Sequence, residues 1–303
     1  MPDVVYEVQD LHKLYPGTAE PANKGITLQI HEGEIFGLLG DNGAGKTTLV
    51  RQMANLLRST SGSIRLFGRL VSEDPLYVAQ HVGYMPQEAH ALNVLTVGEA
   101  LYYTAHLRGL SRSAAQRERD ELLALWQIEG LRDRYCQRLS GGQRRLLRLA
   151  VCMAGALPVL ILDEPTNDLD PLRRRLVWDV LRRANHESGT TIIFVTHDAV
   201  EAEKVIERVG ILRGGELVAL GRPSELKRSV DRKLRLELVV SPERAAPFPA
   251  GLSATEVQPG RWVTLLEREE AIDVLNRLDL ARIDDLRLYS ATLEDLYVHY
   301  ATQ

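Results

Sequence analysis

EIFGLLGDNGAGKTTLVRQMANLL, residues Glu34 to Leu57, passes from an apolar run through a glycine-rich turn into a stretch with helical spacing. Within it Gly40, Gly45, Lys46 and Thr47 satisfy G-x-x-x-x-G-K-[ST]. Strand, glycine loop and helix in that order are the setting that a phosphate-binding loop requires. The glycines let successive backbone N–H groups turn inward around phosphate oxygens, and the helix beginning near Lys46 adds its positive end. Lys46 is then placed to reach β- and γ-phosphates, and the Thr47 hydroxyl to ligate Mg²⁺.

Working outward, VLILDEP (Val159–Pro165) reads as a buried strand with Asp163 emerging at its C-terminal end, where ligands of parallel sheets bind. A carboxylate there completes an Mg²⁺ shell. Glu164, one residue on and aimed differently, suits orientation or deprotonation of an attacking water. Gln87 follows the strand-like VGYM, and its amide suits contact with Mg²⁺ or with that water, while linking to a helical segment. His197 ends TTIIFVTH and is a candidate hydrogen-bond donor to a γ-phosphate. A second glycine stretch, LSGGQ at Leu139–Gln143, also looks built to hold phosphate on backbone N–H groups at a helix start. One nucleotide needs only one such grip.

The remaining pattern gives an α/β fold. Val4–Val8 and Ile26–Ile30 are short β-branched runs, Thr96–Gly155 is helical in spacing, and RVGILRGGELVALG reads as a hairpin turning at Gly214–Gly215. The expected architecture is a P-loop NTPase core with a mainly parallel sheet, an antiparallel β subdomain and a helical insert at about 88–158. This core is placed at 1–230, closed by a short helix near Gly221–Leu226. A small α+β domain is placed at 231–303, with strands in KLRLELVVS and RWVTLL and helices in EEAIDVLNRLD and TLEDLYVHYA. Leu293, Leu296 and Tyr297 share a face of that last helix. The segment APFPAGLSATEVQPG reads as a connection.

Composition narrows the classes. A chain of 303 residues with 45% apolar and 26% charged residues has ample core, and a net charge of −4 gives no case for nucleic-acid binding. Cys136 and Cys152, the two cysteines, lack metal-ligand spacing and read as reduced thiols. No secretory signal opens the chain. The longest apolar run, Leu149–Leu162, contains a proline and is too short to span a bilayer as a helix. Trp126 and Trp178 read as packing residues, and the arginines at 173–175 and 182–183 as a solvated helix face.

In their order and spacing, GDNGAGKTT, Gln87, LSGGQ, LILDEP, NDLD and His197 resemble the nucleotide-binding subunit of ABC ATPases across residues 4–230. The resemblance implies ATP held by Gly40, Asp41, Asn42, Gly43, Ala44, Gly45, Lys46, Thr47 and Thr48, with adenine stacked on Tyr15. It implies Mg²⁺ at Thr47, Gln87 and Asp163, and catalysis by Glu164, His197 and Lys46. It also implies two subunits packed head to tail, each ATP clamped between one chain's Gly40–Thr48 and its partner's Ser140, Gly141, Gly142 and Gln143, with Asp170 contacting across the dimer. The second grip would then sense the partner. Two departures stand out: Asp41 replaces the usual proline, and Asn167-Asp168 replaces the small residues that usually open that loop.

Further expectations follow from the resemblance. They are a homodimer, or a heterodimer with a related ATPase, at the cytoplasmic face of the cell membrane, driving separate transmembrane permease subunits. TVGEALYYTAHLRGL and ATLEDLYVHYATQ resemble the branch that exports antibiotics, polysaccharides and lipids. The competing class is a soluble ABC ATPase acting on ribosomes or DNA.

Overall fold

The computed structural model describes residues 3–87, 92–197, 203, 205–230, 233–241, 254–290, 292–293 and 295–296. Alternating apolar residues start the chain in β1 (Val4–Lys13), which pairs antiparallel with β2 (Asn23–His31). The apolar run then gives β3 (Ile35–Gly40), every residue of it buried, and α1 (Lys46–Met53). Next come β4 (Ser61–Leu66), β5 (Arg69–Leu70), α2 (Pro75–His81) and β6 (Val82–Met85). The helical segment supplies α3 (Val97–Leu107), α4 (Arg112–Leu125) and α5 (Gly141–Met153). After them lie β7 (Val159–Asp163), α6 (Pro171–Ser188), β8 (Thr191–Thr196), β9 (Arg208–Arg213) and β10 (Glu216–Gly221).

These strands make two sheets. One is antiparallel, in the order β2-β1-β4-β5; the other runs β10-β9-β3-β8-β7-β6, with its inner pairs parallel. The parallel strands β3, β7 and β8 are buried along their whole length, which is why they read as unbroken apolar runs. One core joins Leu11 and Ile26 of the antiparallel sheet to Leu49, Val50 and Met53 of α1 and to Ile161, Ile193 and Val195 of the central sheet. Tyr6 seals that seam by donating its hydroxyl to the Met53 carbonyl at 3.1 Å. α1 is thus clamped from both sides, and with it the loop at its start. Trp126 is fully buried and Trp178 packs on Phe194, so both are packing residues.

The chain divides into two compact units, Met1–Leu220 and Gly221–Gln303. The division falls about ten residues before the expected boundary. Helix α7 (Pro223–Val230), expected to close the first domain, belongs to the second unit. That unit holds β11 (Leu234–Val239), β12 (Thr255–Gln258), β13 (Arg261–Leu266), α8 (Ala271–Asn276) and β14 (Asp285–Ser290). Its sheet is antiparallel, in the order β12-β13-β11-β14. Leu236, Leu238 and Leu266 pack on Ala271 and Val274 of α8. β12 lies inside what reads as a connection, because all four of its residues are exposed and carry no apolar alternation. Leu293 and Leu296 are fully buried, whereas Tyr297 lies outside the described residues. No helix among the described residues is long and apolar enough to cross a membrane.

Candidate nucleotide-binding site

At the C-terminal ends of β3 and β7 a cleft of about 390 Å³ opens, lined by Asp41, Asn42, Gly43, Gly45, Lys46, Thr47, Thr48, Gln87, Asp163 and Glu164. With Ala22 beside the loop, four separate stretches of sequence meet here. Gly40 and Ala44 lie beneath the loop, and Asp41, Asn42 and Gly43 form its exposed tip. Gly45 must be glycine for two reasons. Its φ is +99°, and a Cβ there would come within 2.2 Å of the Ala22 carbonyl oxygen. Gly40 is equally constrained by the Leu212 carbonyl, 2.4 Å from where its Cβ would lie. Below the loop, buried Asn23 donates to the Gly45 carbonyl at 3.1 Å, and Gln52 donates to Asn23 at 2.7 Å. The loop is braced from inside the core.

Lys46 donates to the carbonyls of Gly40 and Asp41 at 2.6 and 3.0 Å. Burial lowers its pKa, opposed by the carboxylates of Glu164, Asp163 and Asp41. The Thr47 hydroxyl donates to Asp163 at 3.0 Å. Burial holds the Asp163 carboxyl above the usual aspartate range, with the neighbouring Glu164 charge acting in the same direction and the Thr47 bond against it. A hydroxyl and a carboxylate set together, in a cleft that Gln87 also lines, form a hard oxygen donor set that fits Mg²⁺. A dication would also supply the charge that this buried carboxylate lacks.

Glu164 is buried, with φ at +53°, and its N–H bonds the Val195 carbonyl at 2.9 Å. The left-handed backbone turns its side chain away from that of Asp163. One carboxylate oxygen accepts from Thr196 at 3.3 Å; the other lies 2.8 Å from His197 Nδ1. His197 and Glu164 therefore act as one hydrogen-bonded pair, which strand-end reading treats separately. Tyr15 is placed by its hydroxyl, 3.3 Å from that of Thr48, so its ring stands beside the loop.

Ser140, Gly141, Gly142, Gln143 and Asp170 do not line this cleft. Ser140 and Gln143 form a reciprocal capping box at the start of α5: the Ser140 hydroxyl accepts from the Gln143 N–H, and the Gln143 side chain accepts from the Ser140 N–H. The S-x-x-Q spacing carries that signal in the sequence. Asp170 caps α6 by a single bond, accepting from the Arg173 N–H at 3.0 Å. A Cβ on Gly142 would meet the Arg173 guanidinium at 2.6 Å, so Gly142 leaves room for a cation at the helix start. Asp168 of the unusual loop has φ +61° and faces Arg145 at 3.6 Å.

Sequence reasoning missed Asn23, Gln52, Arg145 and Arg148. Arg145 donates to the Glu164 carbonyl at 3.0 Å, and Arg148 to the Gln87 carbonyl at 2.8 Å. A signal existed for Arg145: it shares the apolar face of α5 with Leu149 and Cys152, an unusual place for a charge.

A family model described as ABC transporter matches residues 23–167. The daunorubicin/doxorubicin resistance ATP-binding protein DrrA of Streptomyces peucetius is 36% identical over 245 residues, covering 80% of this chain and 73% of DrrA. The phospholipid-transporting ATPase ABCA7 of Homo sapiens is 35% identical over 232 residues, 77% of this chain but only 11% of ABCA7. A solved structure of the ATP-binding subunit of an ABC transporter is similar with a TM-score of 0.69 at 27% identity, over 74% of this chain and 92% of that one. With the cleft, the braced loop and a relative matched over most of its length, this chain belongs to the ATP-binding proteins of the ABC transporter family.

Proposed function

We propose that the chain is the ATP-hydrolysing subunit of an exporter, acting as two chains closed head to tail on two Mg²⁺-ATP and driving separate membrane-spanning subunits. The observation that carries this reading is the separation of the two grips. The loop Gly40–Thr48 lines a cleft with Asp163 and Glu164, while Ser140–Gln143 lies off that cleft at a preformed helix N-terminus. A second chain brings the second grip to the first. Similarity to DrrA, a resistance ATP-binding protein, favours export.

In this reading the loop N–H groups and Lys46 hold the β- and γ-phosphates, and Tyr15 stacks on adenine. Thr47, Asp163 and Gln87 would hold Mg²⁺, which supplies charge stabilisation on the phosphate oxygens. Glu164 takes a proton from the attacking water, and His197, held to Glu164 through its Nδ1, turns its other nitrogen toward the γ-phosphate. The partner's Ser140 hydroxyl and Gly141–Gly142 backbone face that phosphate, and its departure removes the contact that closes the pair. Asp170, already a helix cap, lies near enough to Gly142 through Arg173 to share that face.

A groove of about 560 Å³ between the ends of α1, α2 and α3 supports a membrane-subunit contact. Leu56, Leu76 and Leu107 stand on it with 64, 66 and 87% of their surfaces exposed. Such a cluster on a charged surface suits an apolar partner segment. Leu107→Glu is expected to abolish copurification with the membrane subunit while ATP affinity of the isolated chain stays within about twofold, since Leu107 is remote from the loop. Undiminished copurification would remove the groove from the account.

We also propose that the second unit is separable. Truncation after Leu220 is expected to leave a folded, ATP-binding unit, because every cleft residue precedes it. Calorimetric titration with ATP, beside sedimentation of the pair, tests this. A truncated chain without a cooperative melt would mean that the units fold as one.

A further inference from the structure

Arg145 and Arg148 lie one turn apart on α5, the helix whose first turn is Gly141-Gly142-Gln143. The Arg145 guanidinium is buried and donates to the backbone carbonyl of Glu164 at 3.0 Å. That of Arg148 donates to the backbone carbonyl of Gln87 at 2.8 Å. One helix therefore holds, through two side chains, the backbones of both residues assigned to the attacking water or its metal.

Two details argue against a merely structural role for Arg145. Its ionic partner Asp168 is 84% exposed at 3.6 Å, and a pair so open to water gains too little to draw a guanidinium out of water. The carbonyl bond is the contact that its burial preserves. Secondly, Glu164 and Asp168 are both non-glycine residues at left-handed φ, +53° and +61°. Such a backbone is strained and persists only where its surroundings hold it. Arg145 touches both ends of the segment.

We infer that Arg145 and Arg148 are positioning residues that tie α5 to Glu164 and Gln87, so that the helix gripping the partner's ATP also sets the hydrolytic geometry at its own chain's ATP. This rests on the reading of Glu164 and of the head-to-tail pair given above. A displacement of about 1 Å at a reacting group is enough to cost on the order of 100-fold in rate. A small shift of α5 therefore suffices to switch the site.

The test is steady-state ATP hydrolysis by Arg145→Met and Arg148→Met, with Arg145→Lys as the conservative variant. Each methionine variant is expected to lower kcat about 10- to 100-fold with KM for ATP within about twofold, and Arg145→Lys to recover part of the loss. Combined with Glu164→Gln, Arg145→Met is expected to form the ATP-dependent pair as tightly as Glu164→Gln alone. Wild-type kcat in both methionine variants, with Glu164→Gln inactive, overturns the linkage and spares the functional reading. A loss of ATP-dependent pairing as large as the loss of kcat also overturns it, because the arginines would then only support the grip. Should Arg145→Met fail to bind ATP as a monomer, half-buried Arg148→Met decides by the same two readings. A Glu164→Gln protein that turns over normally overturns the functional reading and this inference with it.

Discussion

Glu164→Gln is expected to cut ATP turnover by about 10²- to 10⁴-fold, the range for loss of a positioned general base. Glutamine keeps the size of the buried side chain and an oxygen that accepts from Thr196 or His197, so the fold has no reason to change. The groups proposed to hold phosphate, the Gly40–Thr48 loop and Lys46, are untouched. ATP affinity is therefore expected to remain within about twofold, and the product to be a long-lived ATP-bound pair, because in the proposed pair the γ-phosphate that joins the chains is no longer removed. Phosphate release and sedimentation with ATP read the two halves of this outcome. Release at the wild-type rate would mean that Glu164 is not the base.

The second large effect separates the grips. Lys46→Ala removes a charge-assisted hydrogen bond to phosphate, worth about 1.5–3 kcal/mol, or about 10- to 150-fold in ATP affinity. Burial disfavours the Lys46 charge, so its removal is tolerated by the fold. Ser140→Arg acts elsewhere. It deletes the N-cap of α5 at a cost of about 1 kcal/mol, which a chain with this core absorbs, and it leaves the cleft lining intact. Monomer affinity for ATP is expected to hold, while pairing and turnover fall by at least about 100-fold, because a bulky cation replaces the proposed γ-phosphate contact. Calorimetric titration of both monomers checks the split. A matching loss of monomer affinity in Ser140→Arg would place both grips on one nucleotide.

Legibility in the sequence followed the range of the interaction. The phosphate loop, Asp163 and Glu164 were readable because each sits where a strand ends, and the neighbouring residues state that position. The parallel strands were readable because burial on both faces leaves unbroken apolar runs. Asn23, Gln52, Arg145 and Arg148 act across 19 to 61 residues of chain, and their partners are backbone atoms or a buried amide, which leave no side-chain pattern. The pairing of His197 with Glu164 was hidden by the 33 residues of chain between them. β12 lacked the alternation that marks a strand, since its four residues are exposed. β14 does alternate, as DLRLYS, and went unread because its six residues are only half-buried at best. The boundary near Leu220 was displaced because a helix start reads identically whether it ends one unit or begins the next.

In the proposed pair each ATP is shared between one chain's loop and the other chain's Ser140–Gln143. Mixing Lys46→Ala with Ser140→Arg tests it most directly, with differently tagged chains to show that mixed pairs form. In a mixed pair one site carries both lesions and the other carries neither. Half of the pairs are mixed at equal input, so activity is expected to return to about a quarter of the wild-type value from two nearly inactive proteins. Demonstrated mixed pairs with no recovered hydrolysis would contradict the shared site.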